Sequence, residues 1–513
     1  MTRLRTILTG WLLAGCMALG SAALWASDRT TPEQRTARYF NSIAGKPPLL
    51  LSFLKEMPKG GDLHNHLSGA VYAESLLDYS VRDHLCVDRP TSALTSGPCD
   101  ASCGPSSAKP GASCALGDAA LHNALIDAWS MRNWHPATES GHDHFFATFD
   151  KFGLASGNHT GDMLAEVRTR AASDKLQYLE LMETADGRLA APLGAKVGWD
   201  DDLPRLRQKL LDAGIETPVK AGIQGIDDEE KIARESLQCG TPQASPGCDV
   251  KVRYLYQVLR GLPKQQVFAQ MLTGFLLAES DPRFVGLNLV MPEDWYVPLH
   301  DFDLHMKMLD YLHSVYPRVH ISLHAGELTM SLVPPEELRH HIRASVELGH
   351  AERIGHGVDL MNEGHPRQLL KEMAERKTLV EVCLTSNAVI LGVSGVDHPL
   401  AVYEGSKVPV TLATDDEGVS RSDMTHEYLR AVLDQHQNYA QLKSIARQSL
   451  EHAFLPGASL WADVGTWRRT TACAKDSPMK KLSTACETLL NSSERAAQQW
   501  KLEQSLAVFE AQY

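Results

Sequence analysis

Eight short apolar or β-branched runs punctuate the chain, at residues 61–66, 176–182, 217–223, 284–290, 319–324, 353–356, 378–384 and 408–414. The stretches between them are longer, and several carry apolar residues at helical spacing with charged opposite faces, notably 203–213, 302–316, 335–348 and 367–376. Alternating strand and helix units in this number predict an α/β fold, a (β/α)8 TIM barrel, with a doubly wound open sheet as the runner-up. Three regions exceed a minimal barrel. Residues 27–57 form an N-terminal helical extension, a Cys-, Ser- and Gly-rich insertion of about 84–118 follows the first strand, and 420–513 reads as helices. The expected division is a barrel domain over 58–455 and a C-terminal extension over 456–513, whose helices either cover the barrel or build a homodimer interface.

Composition narrows the class. With 43% hydrophobic and 22% charged residues over 513 positions, the chain is that of a folded protein. Its net charge is −13 and no Lys/Arg-rich run is present, which argues against a nucleic-acid partner. Arg3 and Arg5 precede an apolar run over 7–25 closed by Ala26, the layout of a secretory signal peptide over 1–26. An alternative is a lipoprotein signal at Leu13-Ala14-Gly15-Cys16, with a lipid anchor on Cys16. No later run reaches the roughly 18 to 20 apolar residues that span a bilayer. The expectation is export to the periplasm or beyond, without a membrane span.

The cysteines agree with export. Cys86, Cys99, Cys103 and Cys114 cluster in the insertion, Cys239 lies near Cys248 and Cys473 near Cys486, which reads as disulfides in an oxidising compartment. The four-Cys cluster admits three pairings. Cys383, inside an apolar run, reads as a buried free thiol.

The 22 histidines raise the prospect of metal or acid–base chemistry. His64 and His66 end the first predicted strand two residues apart, and so share a face. A second His-x-His pair, His142 and His144, shows that the pattern alone is weak. Position strengthens it: His324 and Glu327 follow strand five, His356 ends strand six, and Asp415 and Asp416 follow strand eight. In a (β/α)8 barrel these strand ends meet at one mouth. His64, His66, His324 and Asp415 then make a three-imidazole, one-carboxylate set suited to a single Zn2+.

The motifs Met57-Pro58-Lys59-Gly60-Gly61-Asp62-Leu63-His64-Asn65-His66-Leu67, Ser322-Leu323-His324-Ala325-Gly326-Glu327, Arg353-Ile354-Gly355-His356-Gly357, Glu381-Val382-Cys383-Leu384-Thr385-Ser386-Asn387 and Thr414-Asp415-Asp416 resemble the adenosine deaminase family, in the family's order, from about residue 57 to 455. The signal peptide, the Cys-bearing insertion, Glu180 and the run Val290-Met291-Pro292-Glu293-Asp294 are similar to the family's secreted, growth-factor-related branch.

The resemblance implies a zinc-dependent hydrolase that removes the 6-amino group of adenosine or 2′-deoxyadenosine. It implies Glu327 as proton donor to purine N1, His356 as base and electrostatic partner of the attacking water, Asp415 as ligand and orienting group, and Asp416 as hydrogen-bond partner of N7. Glu327 then needs a raised pKa. Three departures bear on substrate contacts: Ser68 stands where many members carry a sugar-binding Asp, Met291 where a glycine offers its N–H to N3, and Glu417 where a proline follows the Asp pair. Glu180 matches an acidic ribose contact, with an ordinary salt bridge as the alternative. The rival readings are a deaminase of another amino-purine, a different amidohydrolase, and a non-catalytic nucleoside-binding or signalling protein on the same fold.

Overall fold

The computed structural model describes residues 30–513. The signal peptide and Cys16 lie outside the described residues. Eight parallel strands pair in chain order: β1 (Gly60–His66), β2 (Leu176–Glu183), β3 (Lys251–Leu259), β4 (Phe284–Val290), β5 (His320–Ala325), β6 (Arg353–His356), β7 (Leu379–Val382) and β8 (Val410–Leu412). The first and last meet just beyond β8, where Asp415 N–H donates to the His64 carbonyl at 2.9 Å and His66 N–H to the Asp415 carbonyl at 3.3 Å. The sheet is therefore a nearly closed (β/α)8 barrel and not an open one.

The third strand is not where the apolar run at 217–223 predicts it. That run opens the helix Glu216–Ser236, whose buried residues Val219, Gly222, Ile226, Glu229 and Ala233 recur every three or four positions. The buried positions continue this period far past the run, and a long amphipathic helix results. Gly222 lets it approach Leu277 of the helix Lys264–Ser280, where an added Cβ would lie 3.1 Å from the Leu277 side chain. The true β3, Lys-Val-Arg-Tyr-Leu-Tyr-Gln-Val-Leu, is rich in aromatic and β-branched residues, as strands prefer.

An ionic group fills the barrel below its mouth. Arg353, at the start of β6, places Nη2 2.7 Å from Glu180 and Nε 2.7 Å from Glu381, all three fully buried. Tyr178 Oη and the Phe454 backbone N–H both donate to Glu180 Oε1 at 2.7 Å, and the guanidinium lies 3.8 Å from the Phe454 ring centroid. Charges taken out of water are tolerable only when paired in this way. Replacing Arg353 with Met strands two buried carboxylates. The expected loss is about 3–5 kcal/mol of unfolding free energy, measurable by denaturant titration of both proteins under chelating conditions.

Outside the barrel, the helices Pro32–Ile43 and Pro47–Glu56 pack against the helices Tyr439–Glu451 and Glu494–Glu510. Phe40, Phe53, Tyr439 and Phe509 form their aromatic core, and Lys443 bridges Glu33 and Glu510. The C-terminal helices thus cover this chain's own barrel. In the insertion, Cys86 pairs with Cys99 and Cys103 with Cys114, one of the three admissible pairings. Cys239–Cys248 and Cys473–Cys486 complete the disulfides, and Cys383 is a buried free thiol.

Candidate active site

His64 and His66 project from the end of β1, His324 from the end of β5, and Asp415 from the turn after β8. Asp415 Oδ1 lies 3.4 Å from His64 Nε2 and 3.3 Å from His66 Nε2, and the His66 and His324 Nε2 atoms are 3.2 Å apart. Each imidazole is held from behind. His64 Nδ1 donates to Glu381 of β7 at 2.8 Å, His66 Nδ1 to Gln257 of β3 at 3.0 Å, and His324 Nδ1 to Asn288 of β4 at 2.8 Å. Acceptors at all three Nδ1 atoms leave three Nε2 lone pairs facing one another beside a carboxylate. That arrangement is repulsive unless a cation sits among them.

The electrostatics point the same way. Burial lowers the His64 imidazole, yet hydrogen bonds to Asp415 and Glu381 overcome this and raise it to about 10. Such a position demands positive charge, from a proton or a metal ion. His64, His66, His324 and Asp415 therefore fit a metal cation, with donor atoms all within 4.8 Å of one another. A second grouping of His64, His356, Cys383 and Asp415 is as compact. It fits less well, because burial holds the Cys383 thiol well above its usual range.

Glu327 follows β5 at the mouth, 7% exposed, with Oε1 unpaired and 3.7 Å from His356 Nδ1. Burial first, then the negative charges of Asp415 and Glu293, push its carboxyl well above the carboxylate range. These surroundings favour its protonated form. Its backbone is clamped: Glu293 accepts from the N–H groups of Gly326 at 3.2 Å and Glu327 at 2.9 Å, and from His341 Nδ1 at 2.6 Å. Burial raises Glu293, but His341 and Arg260 outweigh it and hold the group at about 2. His356, buried at the end of β6, is lowered by that burial to about 3 and is neutral.

Asp416 lies beside these groups with Oδ1 unpaired. Burial, reinforced by Asp415 and opposed by His66, raises it to about 7. It packs on Gly69 so closely that a Cβ there would stand 1.6 Å from Oδ1. Gly69→Ala is expected to push the Asp416 carboxyl aside, raising KM at least about tenfold if that carboxyl binds substrate, while metal content stays unchanged; steady-state kinetics and metal analysis check it. Ser68, half-buried, opens the short helix Leu67–Ala70 beside it. Met291 follows β4 with φ +86°, an unusual conformation for a side-chain-bearing residue, and its carbonyl accepts from Arg260 at 3.0 Å.

One sequence expectation changes here. Glu180 does not reach the mouth: both its oxygens are engaged below, by Tyr178, Phe454 and Arg353. Its place in mid-strand, three residues before the end of β2, explains this. The His142 and His144 pair falls in the helix Gly141–Ser156, where residues two apart diverge. His142 joins Asp143 and Asp294, whereas His144 joins Glu139 and the Ser130 carbonyl.

Residues 217–460, which carry β3 to β8 with His324, Glu327, His356, Asp415 and Asp416, match the family model for adenosine deaminase. This segment belongs to the adenosine deaminase family. Curated adenosine deaminases from Escherichia coli (strain SE11) and Salmonella heidelberg (strain SL476) are 37% and 38% identical over 137 residues, 26% of this chain. The match spans about two fifths of those relatives, 38% of their length. Among solved structures, an adenine deaminase from Arthrobacter aurescens aligns with 77% of this chain and 94% of its own at TM-score 0.50 and 16% identity. An amidohydrolase from Burkhoderia ambifaria with bound Zn aligns with 79% and 88% at TM-score 0.51 and 16% identity. At these identities the structures speak to the fold alone.

Within the adenosine deaminase segment, several working residues escape a reading of the chain by itself. Glu293 and Asn387 sit in recognisable motifs, but what they hold is visible only in three dimensions. Gln257 and Arg260 belong to β3 and the turn after it, the part of the barrel whose pattern is least distinctive.

Proposed function

We propose that this protein is an exported, zinc-dependent hydrolase that deaminates an amino-purine nucleoside, adenosine or 2′-deoxyadenosine, to the inosine analogue and ammonia. The observation that carries the reading is a buried glutamic acid, Glu327, whose surroundings oppose ionisation, beside a cage of three imidazoles and a carboxylate. A binding protein has no use for a proton donor next to a metal cage. When bound, zinc lowers the pKa of water toward about 7 and so supplies a nucleophile near neutral pH.

The chain's own residues supply the remainder. Glu327 gives a proton to ring nitrogen N1, which takes up the π electron pair of the C6=N1 bond as the water oxygen bonds to C6; the bond from C6 to the amino nitrogen then breaks, and with the proton given up by the water ammonia leaves. Asp416 faces N7, an acceptor, and, raised to about 7, keeps below that pH the proton needed to donate to it. The expected pH profile follows: kcat/KM declines as pH rises through about 7 and Asp416 ionises. In Asp416→Asn the donor cannot ionise, so that limb of the profile should flatten.

Four disulfides support export, since such bonds persist in oxidising compartments. With the Cys-bearing insertion they also favour the secreted, growth-factor-related branch. A second reading, an amino-purine without ribose, is favoured by the engagement of Glu180 in the barrel floor and by serine at position 68. The deciding assay follows the ultraviolet change as adenosine, 2′-deoxyadenosine or adenine is deaminated by zinc-loaded protein, with and without a chelator. Chelator-sensitive turnover of a nucleoside supports the first reading and turnover of adenine alone the second. Zinc-replete protein inert toward all three would leave a nucleoside-binding role.

A further inference from the structure

A chain of hydrogen bonds runs from the backbone to His356 at the candidate active site. The Leu400 N–H donates to His398 Nδ1 at 3.1 Å, His398 Nε2 meets Asn387 Oδ1 at 3.1 Å, and Asn387 Nδ2 meets His356 Nδ1 at 3.0 Å. All three side chains are buried, 3%, 0% and 1% exposed. The direction is not free. A backbone N–H can only donate, so His398 Nδ1 accepts and its proton sits on Nε2. That N–H points at the Asn387 oxygen, which turns the amide NH2 toward His356. An NH2 group can only donate, so His356 Nδ1 is an acceptor and the ring proton sits on Nε2.

The far end of His356 completes the picture. Its Nε2 is buried without a protein partner, and its ring lies 5.0 Å from that of His64 and 5.2 Å from that of His324, against the metal cage. His356 also stands at φ +68°, followed by Gly357, whose carbonyl accepts from Tyr403 at 2.7 Å. Backbone and side chain are thus both held.

We infer that His398 is a positioning residue that acts through Asn387 to fix His356 in its Nε2–H tautomer, so that His356 presents a hydrogen-bond donor to the reacting water and not a base. A base at Nε2 would need the proton on Nδ1, where the Asn387 NH2 group stands. The inference deepens the hydrolytic reading and rests on it for the role of the donor, but the tautomer is observable without turnover.

The test uses the full-length, zinc-loaded protein with 15N-labelled histidine. Long-range proton–nitrogen correlation spectra distinguish a protonated from an unprotonated ring nitrogen, and His356→Gln assigns the signals. The wild type is expected to show His356 protonated at Nε2. Asn387→Asp, which replaces the donor with an acceptor, is expected to move the proton to Nδ1. His398→Leu, which frees the Asn387 amide to turn, is expected to give a mixture of tautomers and to lower kcat about tenfold or more, with KM and zinc content little changed. His398→Gln, which keeps a donor near the position of Nε2, should recover much of that loss. An Nδ1–H signal in the wild type would overturn the inference, and so would an unchanged Nε2–H signal in both Asn387→Asp and His398→Leu. If His398→Leu does not fold, Asn387→Asp decides alone. If no amino-purine is turned over, the tautomer result still stands or falls by itself, and only the proposed reaction is lost.

Discussion

Glu327→Gln is expected to keep its metal and its fold while turnover falls at least about a hundredfold, the usual cost of losing a general acid. The substitution is nearly isosteric, and the backbone N–H of residue 327 still donates to Glu293. What disappears is the transferable proton. In the wild type that proton is retained because burial and the charges of Asp415 and Glu293 oppose ionisation. An amide reproduces the hydrogen bond to N1 without the transfer, so KM should change far less than kcat. Zinc analysis beside steady-state kinetics checks both halves, and near-wild-type kcat would remove Glu327 from the mechanism.

His64→Ala should show the opposite signature. One of three imidazoles is gone, and Glu381 loses the group it orients at 2.8 Å. Metal content is expected to fall below about a tenth of wild type, since even mutation of groups that merely orient ligands typically costs 10–100-fold in metal affinity. Activity disappears with the metal. Added zinc should also stop raising the melting temperature, because a ligand stabilises only the state that binds it. A His64→Ala protein that retains full metal occupancy would exclude His64 from the cage.

The parts legible in the sequence are those whose meaning is local. His64 and His66 share a strand face, Gly326-Glu327 and His356-Gly357 lie at strand ends, and Asp415-Asp416 lie in the turn after β8. A strand-and-helix alternation then suffices to bring them to one mouth. The third strand was obscured because Pro218-Val219-Lys220-Ala221-Gly222-Ile223 has the composition of a strand and the period of a helix, and only the residues up to Ala233 reveal the latter. Between a ribose contact and a salt bridge, Glu180 was undecided for a different reason. Its motif reveals neither how high along β2 it sits nor that Arg353 enters from β6 to pair with it. The orienting groups Gln257, Asn288 and Glu381 acquire their roles only when strands far apart in sequence become neighbours.

The closure of the barrel carries a consequence of its own. The two backbone hydrogen bonds that join its first and last strands run between Asp415 and the pair His64 and His66, three of the four residues of the cage. Gripping an ion and zipping the cylinder shut are therefore one structural event. Withdrawal of the ion should slacken that seam before any other, and amide exchange at Asp415 and His66 would report it ahead of global unfolding. The cage doubles as the clasp of the scaffold, so in the enzyme proposed above loss of the ion would mark a molecule for proteolysis as well as silence it.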